Sequence, residues 1–416
     1  MSTPTPPFFD VRMQGFRNRA TVAEVLATLD SRVVALPAET VELCDLAGRV
    51  LATPVSSAVD VPGFERAAMD GYAICAEDSV SPTPMTVVGE AFPARPYTGH
   101  VERGQAVRIT TGAPIPDGAD AVLMAEFASR DSDACVSATA PVVAGKHIVR
   151  VGEDVAKGRE VLPAGRQLRP QDLGLLASIG VSRVSVHRRP RVAVLVTGNE
   201  LLPPGSRPES FRIVDSNSPI LAALVARDGG EPLPVRYLPD DYNAVRDAIR
   251  ETDADLILVT GGTSVGTEDH APRAVAEVGE LTFHGVALRP AGPLGVGFLS
   301  SPGHSNLPLF LLPGNPVSCL CAYDLFAGRI VRRLGGRAWE LPYRRITAPL
   351  ASGINSVVDR VDYVRVKVEN GLVLPILGSG ASNLSSTVTA DGFVLVPHER
   401  DELNAGELVE VWLYAG

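Results

Sequence analysis

The stretch ILVTGGTSVGTEDH, Ile257 to His270, sets an apolar run directly against a loop of glycines and hydroxyls that ends in two acids. Gly261, Gly262 and Gly266 let the main chain approach an oxygen-rich ligand closely, and successive N–H groups with a helix start behind them form an anion cradle. Ser264 adds a hydroxyl and Asp269 a carboxylate. No lysine is present, so the loop is neither a Gly-Lys phosphate loop nor the G-x-G-x-x-G dinucleotide fingerprint. Glycines that serve only as turn residues are the competing explanation for such a loop taken alone.

Two further apolar runs end in the same way. VTGNEL supplies Thr197, Gly198 and Glu200, and LPDD supplies Asp240 and Asp241. Carboxylates gathered on one edge disfavour each other's ionised form unless a cation or donors intervene. Magnesium suits such a place, because it takes one or two carboxylates and completes its shell with water and phosphate oxygens. Glu200, Asp240 and Asp269 are therefore the candidate metal ligands, although each reads equally well as a helix N-cap or a solvated turn residue. A fourth element, LLPGNPVS, offers Asn315 as a cap, Pro316 at a first helical position and Ser318 as a hydroxyl beside free N–H groups. An ordinary well-capped helix start explains it as well.

The elements that must hold these loops follow from periodicity. From Arg191 onward, strand-like RVAVLVTG, LPVRYL and DLILVTGG alternate with helix-like SPILAALVARDGG, YNAVRDAIRETD and APRAVAEVG. Such alternation predicts a parallel α/β sheet whose ligands lie outside the carboxyl ends of its strands. LTFHGVAL, LGVGFL and LPLFLLPG add strands, and NPVSCLCAYDLFAGRIVRRLGG closes the unit with a long helix. Near the start, TVAEVLATL carries Thr21 and Glu24 at capping-box spacing. Between about residues 52 and 150 short β-type runs are broken by proline and glycine, followed by the helical RPQDLGLLASIG. After Trp339 the chain turns β again, with DYVRVKV and LVLP on either side of an Asn370-Gly371 hairpin turn. The segments are 1–51 with 151–188, 52–150, 189–336 and 337–416, the last a small β-barrel.

Composition excludes several classes. Among 416 residues, 45% are apolar and 21% charged, and no apolar run approaches the roughly 20 residues that cross a bilayer. The formal net charge of -10 repels a nucleic-acid backbone, and no basic stripe counters it. MSTPTPPFFDVRMQGFRN shows no export pattern, so a cytoplasmic location is expected. Cys44, Cys75, Cys135, Cys319 and Cys321 have no metal-ligand spacing and are expected to be buried reduced thiols.

Taken together, RAAMDGYA (66–73), RITTGAPIP (108–116), VGEDVAKG (151–158), TGNEL (197–201), DSNS (215–218), GGTSVGTED (261–269) and LPGNPVS (312–318) resemble the molybdopterin molybdenumtransferases, the MoeA and gephyrin E-domain family. The resemblance runs in family order over nearly the whole chain from about residue 20. It implies a multidomain fold: an elongated N-terminal domain (1–51 with 151–188), an inserted β-rich domain (52–150), a molybdopterin-binding α/β domain (189–336) and a C-terminal β-barrel (337–416). It further implies a cytoplasmic homodimer with its cleft between the α/β domain of one subunit and the inserted domain of the other. The implied reaction inserts molybdate into adenylylated molybdopterin and releases AMP with magnesium.

By that resemblance Asp70, Thr111, Glu200, Asp240 and Asp269 are catalytic, with the last three at the magnesium. Thr197, Gly198, Asp215, Asn217, Gly261, Gly262, Ser264, Gly266, Pro313, Asn315 and Pro316 would bind molybdopterin. Molybdate would meet Arg289, Ser318, Arg365 and Ser382, although Arg365 reads equally as a surface strand residue. Molybdopterin adenylyltransferase and apo-molybdoenzymes are the implied partners. The chain departs from the pattern at HGVALRPAGPLGVG, where Gly285 and Gly292 stand in place of family lysines and Arg289 replaces another; Lys146, Lys157 and Lys367 are its only lysines. A molybdopterin-binding scaffold without turnover, or a molybdopterin adenylyltransferase, are the alternatives; the latter is a single small domain, against which the insert and barrel weigh.

Overall fold

The computed structural model describes residues 16, 19–81, 83–264, 266, 269–301, 304–376 and 380–414. Most of the opening segment read for export signals lies outside these residues, as do Val265, Thr267 and Glu268 of the glycine loop. The chain forms two compact units, one of residues 1–39, 48–52 and 186–416, the other of 40–47 and 53–185.

In the first unit a seven-stranded sheet has Arg191–Thr197, Leu256–Thr260 and His304–Leu312 side by side and parallel. The first two strands and Leu307 to Leu312 of the third are almost wholly buried, which is why they read as unbroken apolar runs rather than alternating ones. Helices cover both faces: Asn217–Arg227 and Pro316–Ala322 contribute to one apolar cluster, Tyr242–Glu251 and Ala271–Val278 to the other. Each fully buried aliphatic side chain contributes about 1.5–3 kcal/mol. The expected all-parallel arrangement is extended at one edge, where Gly295–Ser301 and Gly279–His284 pair antiparallel. Short connections between neighbouring strands impose that direction, because a parallel return needs a crossover of a dozen or more residues.

The helix Val22–Arg32 begins with the anticipated capping box: Glu24 N–H donates to Thr21 Oγ1 at 3.1 Å and Thr21 N–H to Glu24 Oε2 at 2.7 Å. Its Val25 and Leu29 join the apolar cluster of the α/β sheet. In the C-terminal part, Val361–Glu369, Gly392–Val396, Leu408–Leu413 and Arg344–Pro349 form a sheet that Leu372–Pro375 extends. Leu350 bridges to Val373, so the sheet nearly closes into a barrel. Leu288–Arg289 joins the same sheet, parallel to Val361–Glu369, with Arg289 opposite Asp362.

The second unit holds a six-stranded sheet in which Gly71–Ile74 pairs antiparallel with Gln105–Ile109 and Ala121–Met124. The helix Pro170–Ser178 starts on its proline and is followed by Gly180 at φ +77°. The cysteines are all free thiols, but only Cys319 and Cys321 are buried; Cys44 is exposed, and Cys75 and Cys135 are half-buried. No helix among the described residues is long and apolar enough to cross a membrane.

Candidate functional site

Parallel register fixes where the loops emerge. Thr260 lies opposite both Val196 and Leu312, and Thr197 opposite Leu238, so the segments after all four strands leave one sheet edge together. Gly261 turns away at φ +86°, and a Cβ there would lie 2.0 Å from the Thr197 carbonyl oxygen, so only glycine permits this approach. The loops surround a cavity of about 520 Å³ whose wall includes Thr197, Glu200, Asp215, Gly261, Gly262 and Ser264, together with Asp269, Asn217, Asn315, Pro316 and Ser382.

The acids behave differently from one another. Glu200 and Asp269 line the cavity. Asp269 Oδ2 also accepts the Gly266 N–H at 2.6 Å, which ties the glycine loop to the start of the next helix. Gly198 makes room for Glu200, since a Cβ at 198 would sit 2.8 Å from Glu200 Oε2. Asp240 is not part of the wall; its Oδ2 accepts Asn199 N–H at 2.8 Å while its own N–H reaches Asn199 Oδ1 at 3.3 Å. Asp241 caps the helix Tyr242–Glu251 through Ala244 N–H. Among the described residues no three His, Cys, Asp or Glu side chains gather around a metal position.

Asp215 and Asn217 are wall residues that also tie its pieces together. Asp215 accepts the N–H groups of Asn217 and Ser218, and the hydroxyls of Ser218 and Tyr237. Burial and this carboxylate raise the Tyr237 hydroxyl above its ordinary pKa. Asn217 Nδ2 donates to Thr260 Oγ1 at 2.9 Å and to the Gly314 carbonyl at 2.8 Å, joining a helix start to two strand ends.

A second cavity of about 670 Å³ is lined by Arg289, Ser318 and Arg365, along with Pro313 and Asn315. Asn315 therefore belongs to both walls. Its side chain does not cap the helix Pro316–Ala322 as expected; Oδ1 instead accepts the Ser382 hydroxyl at 2.9 Å. The helix start is also less open than the sequence suggests, because Val317 N–H donates to the Ala381 carbonyl at 3.1 Å. Of the four residues assigned to molybdate, Ser382 lines the first cavity and the other three the second. Arg365 is 6% exposed and hydrogen-bonded to Ser386, and burial lowers its pKa. Arg289 pairs with Asp362, as does Arg360 at 3.1 Å. Arg19, Arg360 and Asp362 line the second cavity too; no motif marks Arg19, and only the charge pattern of RVDYVRV points to the other two.

In the second unit, the Gly71–Ile109 register sets Asp70 beside Thr111. Asp70 Oδ1 accepts Thr111 N–H at 2.7 Å and its hydroxyl at 2.9 Å, and these bonds hold the carboxyl below the usual range.

Residues 20–180 match the family described as MoeA N-terminal region (domain I and II), 193–333 the probable molybdopterin binding domain, and 347–414 the MoeA C-terminal region (domain IV). The chain belongs to the MoeA family. A molybdopterin molybdenumtransferase of Haemophilus influenzae is 32% identical over 381 residues, 90% of this chain and 93% of that protein. Molybdopterin molybdenumtransferase 2 of Mycobacterium tuberculosis is 34% identical, over 90% and 94% of the two chains. Two solved structures of the MoeA protein from Pyrococcus horikoshii give TM-scores of 0.81 and 0.78 at 31% and 30% identity, covering 96% and 95% of this chain and 100% of theirs. The Haemophilus and Mycobacterium relatives are named as transferases, and membership of their family makes the chain an enzyme.

Proposed function

We propose that this enzyme of molybdenum cofactor biosynthesis inserts molybdate into adenylylated molybdopterin and releases AMP. The observation that carries the reading is the pair of adjoining cavities that share Asn315, one with glycine amides and the carboxylates of Glu200, Asp215 and Asp269, the other with arginines and a buried serine. Such a pair suits a substrate with a pyrophosphate at one end and an oxyanion acceptor at the other.

In this reading the main chain at Gly261, Gly262 and Ser264 holds the pterin phosphate, and Thr197 and Asn217 shape the wall behind it. Ser318, Arg365 and Arg289 hold molybdate as substrate. Glu200 and Asp269 fit a magnesium ion, which takes one or two carboxylates and would supply charge neutralisation and Lewis acidity at the pyrophosphate. Asp240 would act through Asn199 rather than on the ion. Asp70, kept ionised by Thr111, would orient the water whose attack on phosphorus breaks the P–O bond and frees AMP. We further infer a homodimer in the cytoplasm, with Asp70 and Thr111 contributed by a second copy of the chain. Molybdopterin adenylyltransferase would supply the substrate, and apo-molybdoenzymes would receive the product.

The test is turnover of adenylylated molybdopterin with molybdate and magnesium. AMP and active cofactor are expected, with AMP formation lost on chelation of magnesium. Tight pterin binding without AMP would instead make the chain a scaffold.

A further inference from the structure

The arginine-lined cavity carries more positive charge than the sequence motifs account for. Arg19, Arg289, Arg360 and Arg365 line it, against the single carboxylate, among the described residues, of Asp362. Arg289 and Arg360 both lean on that carboxylate. Arg19 has no carboxylate partner among the described residues, is exposed, and its guanidinium lies 5.9 Å from the Phe16 ring centroid.

The main chain holds Arg19 there. Ala20 bridges to Val286, its N–H donating to the Gly285 carbonyl at 3.1 Å and its carbonyl accepting Ala287 N–H at 2.8 Å. Phe16 packs edge-on against His284 at 5.0 Å and over Gly285. A Cβ at 285 would lie 2.6 Å from Phe16 Cδ1, on a backbone at φ +98° that disfavours any side chain. A lysine at 285 is therefore incompatible with this seat for Phe16, while the Ala20 bridge sets Arg19 at the cavity.

We infer that Arg19 is an oxyanion-binding residue of this cavity, held beside it by the bridge of Ala20 to Val286. The inference rests on the reading of the cavity as the place where a tetrahedral dianion binds. Guanidinium suits that ligand because its planar fork pairs two oxygens at once.

The test is titration of the full chain with sodium molybdate by calorimetry, in low-salt buffer free of sulfate and phosphate. Arg19→Gln is expected to bind about tenfold more weakly, the scale of one lost charge-assisted hydrogen bond. Its unfolding temperature should be unchanged, since Arg19 is exposed, and Arg19→Lys should recover part of the loss. The deficit should shrink as salt rises, because an exposed charge is screened. Ser318→Ala, in the same cavity, serves as the reference. Loss of affinity in Ser318→Ala with none in Arg19→Gln overturns the role of Arg19 and leaves the cavity reading standing. Absence of molybdate binding by the unaltered chain overturns the cavity reading itself.

Discussion

Arg289 and Asp362 are joined both by register and by charge: they face each other across the parallel pairing of Leu288–Arg289 with Val361–Glu369, and their side chains form an ion pair. Asp362 is 1% exposed and also accepts from Ser356 at 2.7 Å and Arg360 at 3.1 Å. Its carboxylate thus organises two of the four arginines of the second cavity.

Asp362→Asn leaves Arg289 and Arg360 without their counter-charge; only the carboxylate side of these pairs is buried, and loss of its charge-assisted hydrogen bonds costs roughly 1–3 kcal/mol. The same change raises the positive potential of the cavity by one charge. The variant should therefore melt lower than the unaltered protein, yet gain more unfolding temperature on addition of molybdate. Differential scanning with and without molybdate checks both; an equal gain in the two proteins would separate Asp362 from anion binding.

A different carboxylate sets an acid limit for the second unit. Asp172 is 4% exposed, held by the Arg166 fork at 2.7 and 3.0 Å and by Arg169 N–H at 2.9 Å, and these partners keep its carboxyl well below the usual range. Folding favours the ionised form, so its contribution is complete above about pH 4 and is lost as pH falls toward the depressed native value. Asp172→Asn should destabilise the fold by roughly 2–3 kcal/mol at pH 7. Urea unfolding of both proteins at neutral and acid pH should show the gap narrowing in acid.

Legibility in the sequence follows the range of the interaction. The buried strands, the Thr21–Glu24 capping box and the glycine loop were readable because each is decided by neighbours within a few residues. The sheet edge that gathers Thr197, Gly261 and Asn315 followed from strand–helix alternation alone. The pairing of Arg289 with Asp362, 73 residues on, was not readable, because no local rule states which strand end meets which. Asp240 shows the same limit: an acid at a strand end reads as a ligand, but its place off the cavity wall and the bond of its Oδ2 to Asn199 N–H depend on a residue 41 positions away. Asn315 likewise had every local mark of a side-chain cap, until Ser382, 67 residues away, took its oxygen.

Two-subunit sharing of one reaction makes a complementation prediction. Asp70→Asn and Asp269→Asn should each abolish AMP release, since in the proposed homodimer the two residues serve one centre from different copies. Mixing the variants under subunit exchange should restore about a quarter of full activity, because half the dimers of a two-fold assembly would carry one intact centre. Recovery is read as AMP released per chain, with light scattering to show that the mixture is dimeric. No recovery from a dimeric mixture would mean that both residues act within one copy.

Asn217 joins three pieces of the first cavity's wall, its own helix start, Thr260 and Gly314. Its Nδ2 bonds fix the amide orientation, because the Gly314 carbonyl can only accept, and they hold that loop to the end of Leu256–Thr260. Asn217→Ala leaves the Gly314 oxygen without this donor and costs about 1–3 kcal/mol. Asn217→Asp is expected to be worse despite its matching size, since an ionised carboxylate would face that carbonyl where a donor stood. If the site is as proposed, the alanine variant should raise KM for the pterin substrate more than it lowers kcat, because the displaced Gly261 and Gly314 segments bind rather than react. Molybdate affinity in the second cavity should change little, since Ser318 and Arg365 do not depend on this bond. Equal loss in both cavities would show that Asn217 supports the whole domain and not the pterin wall.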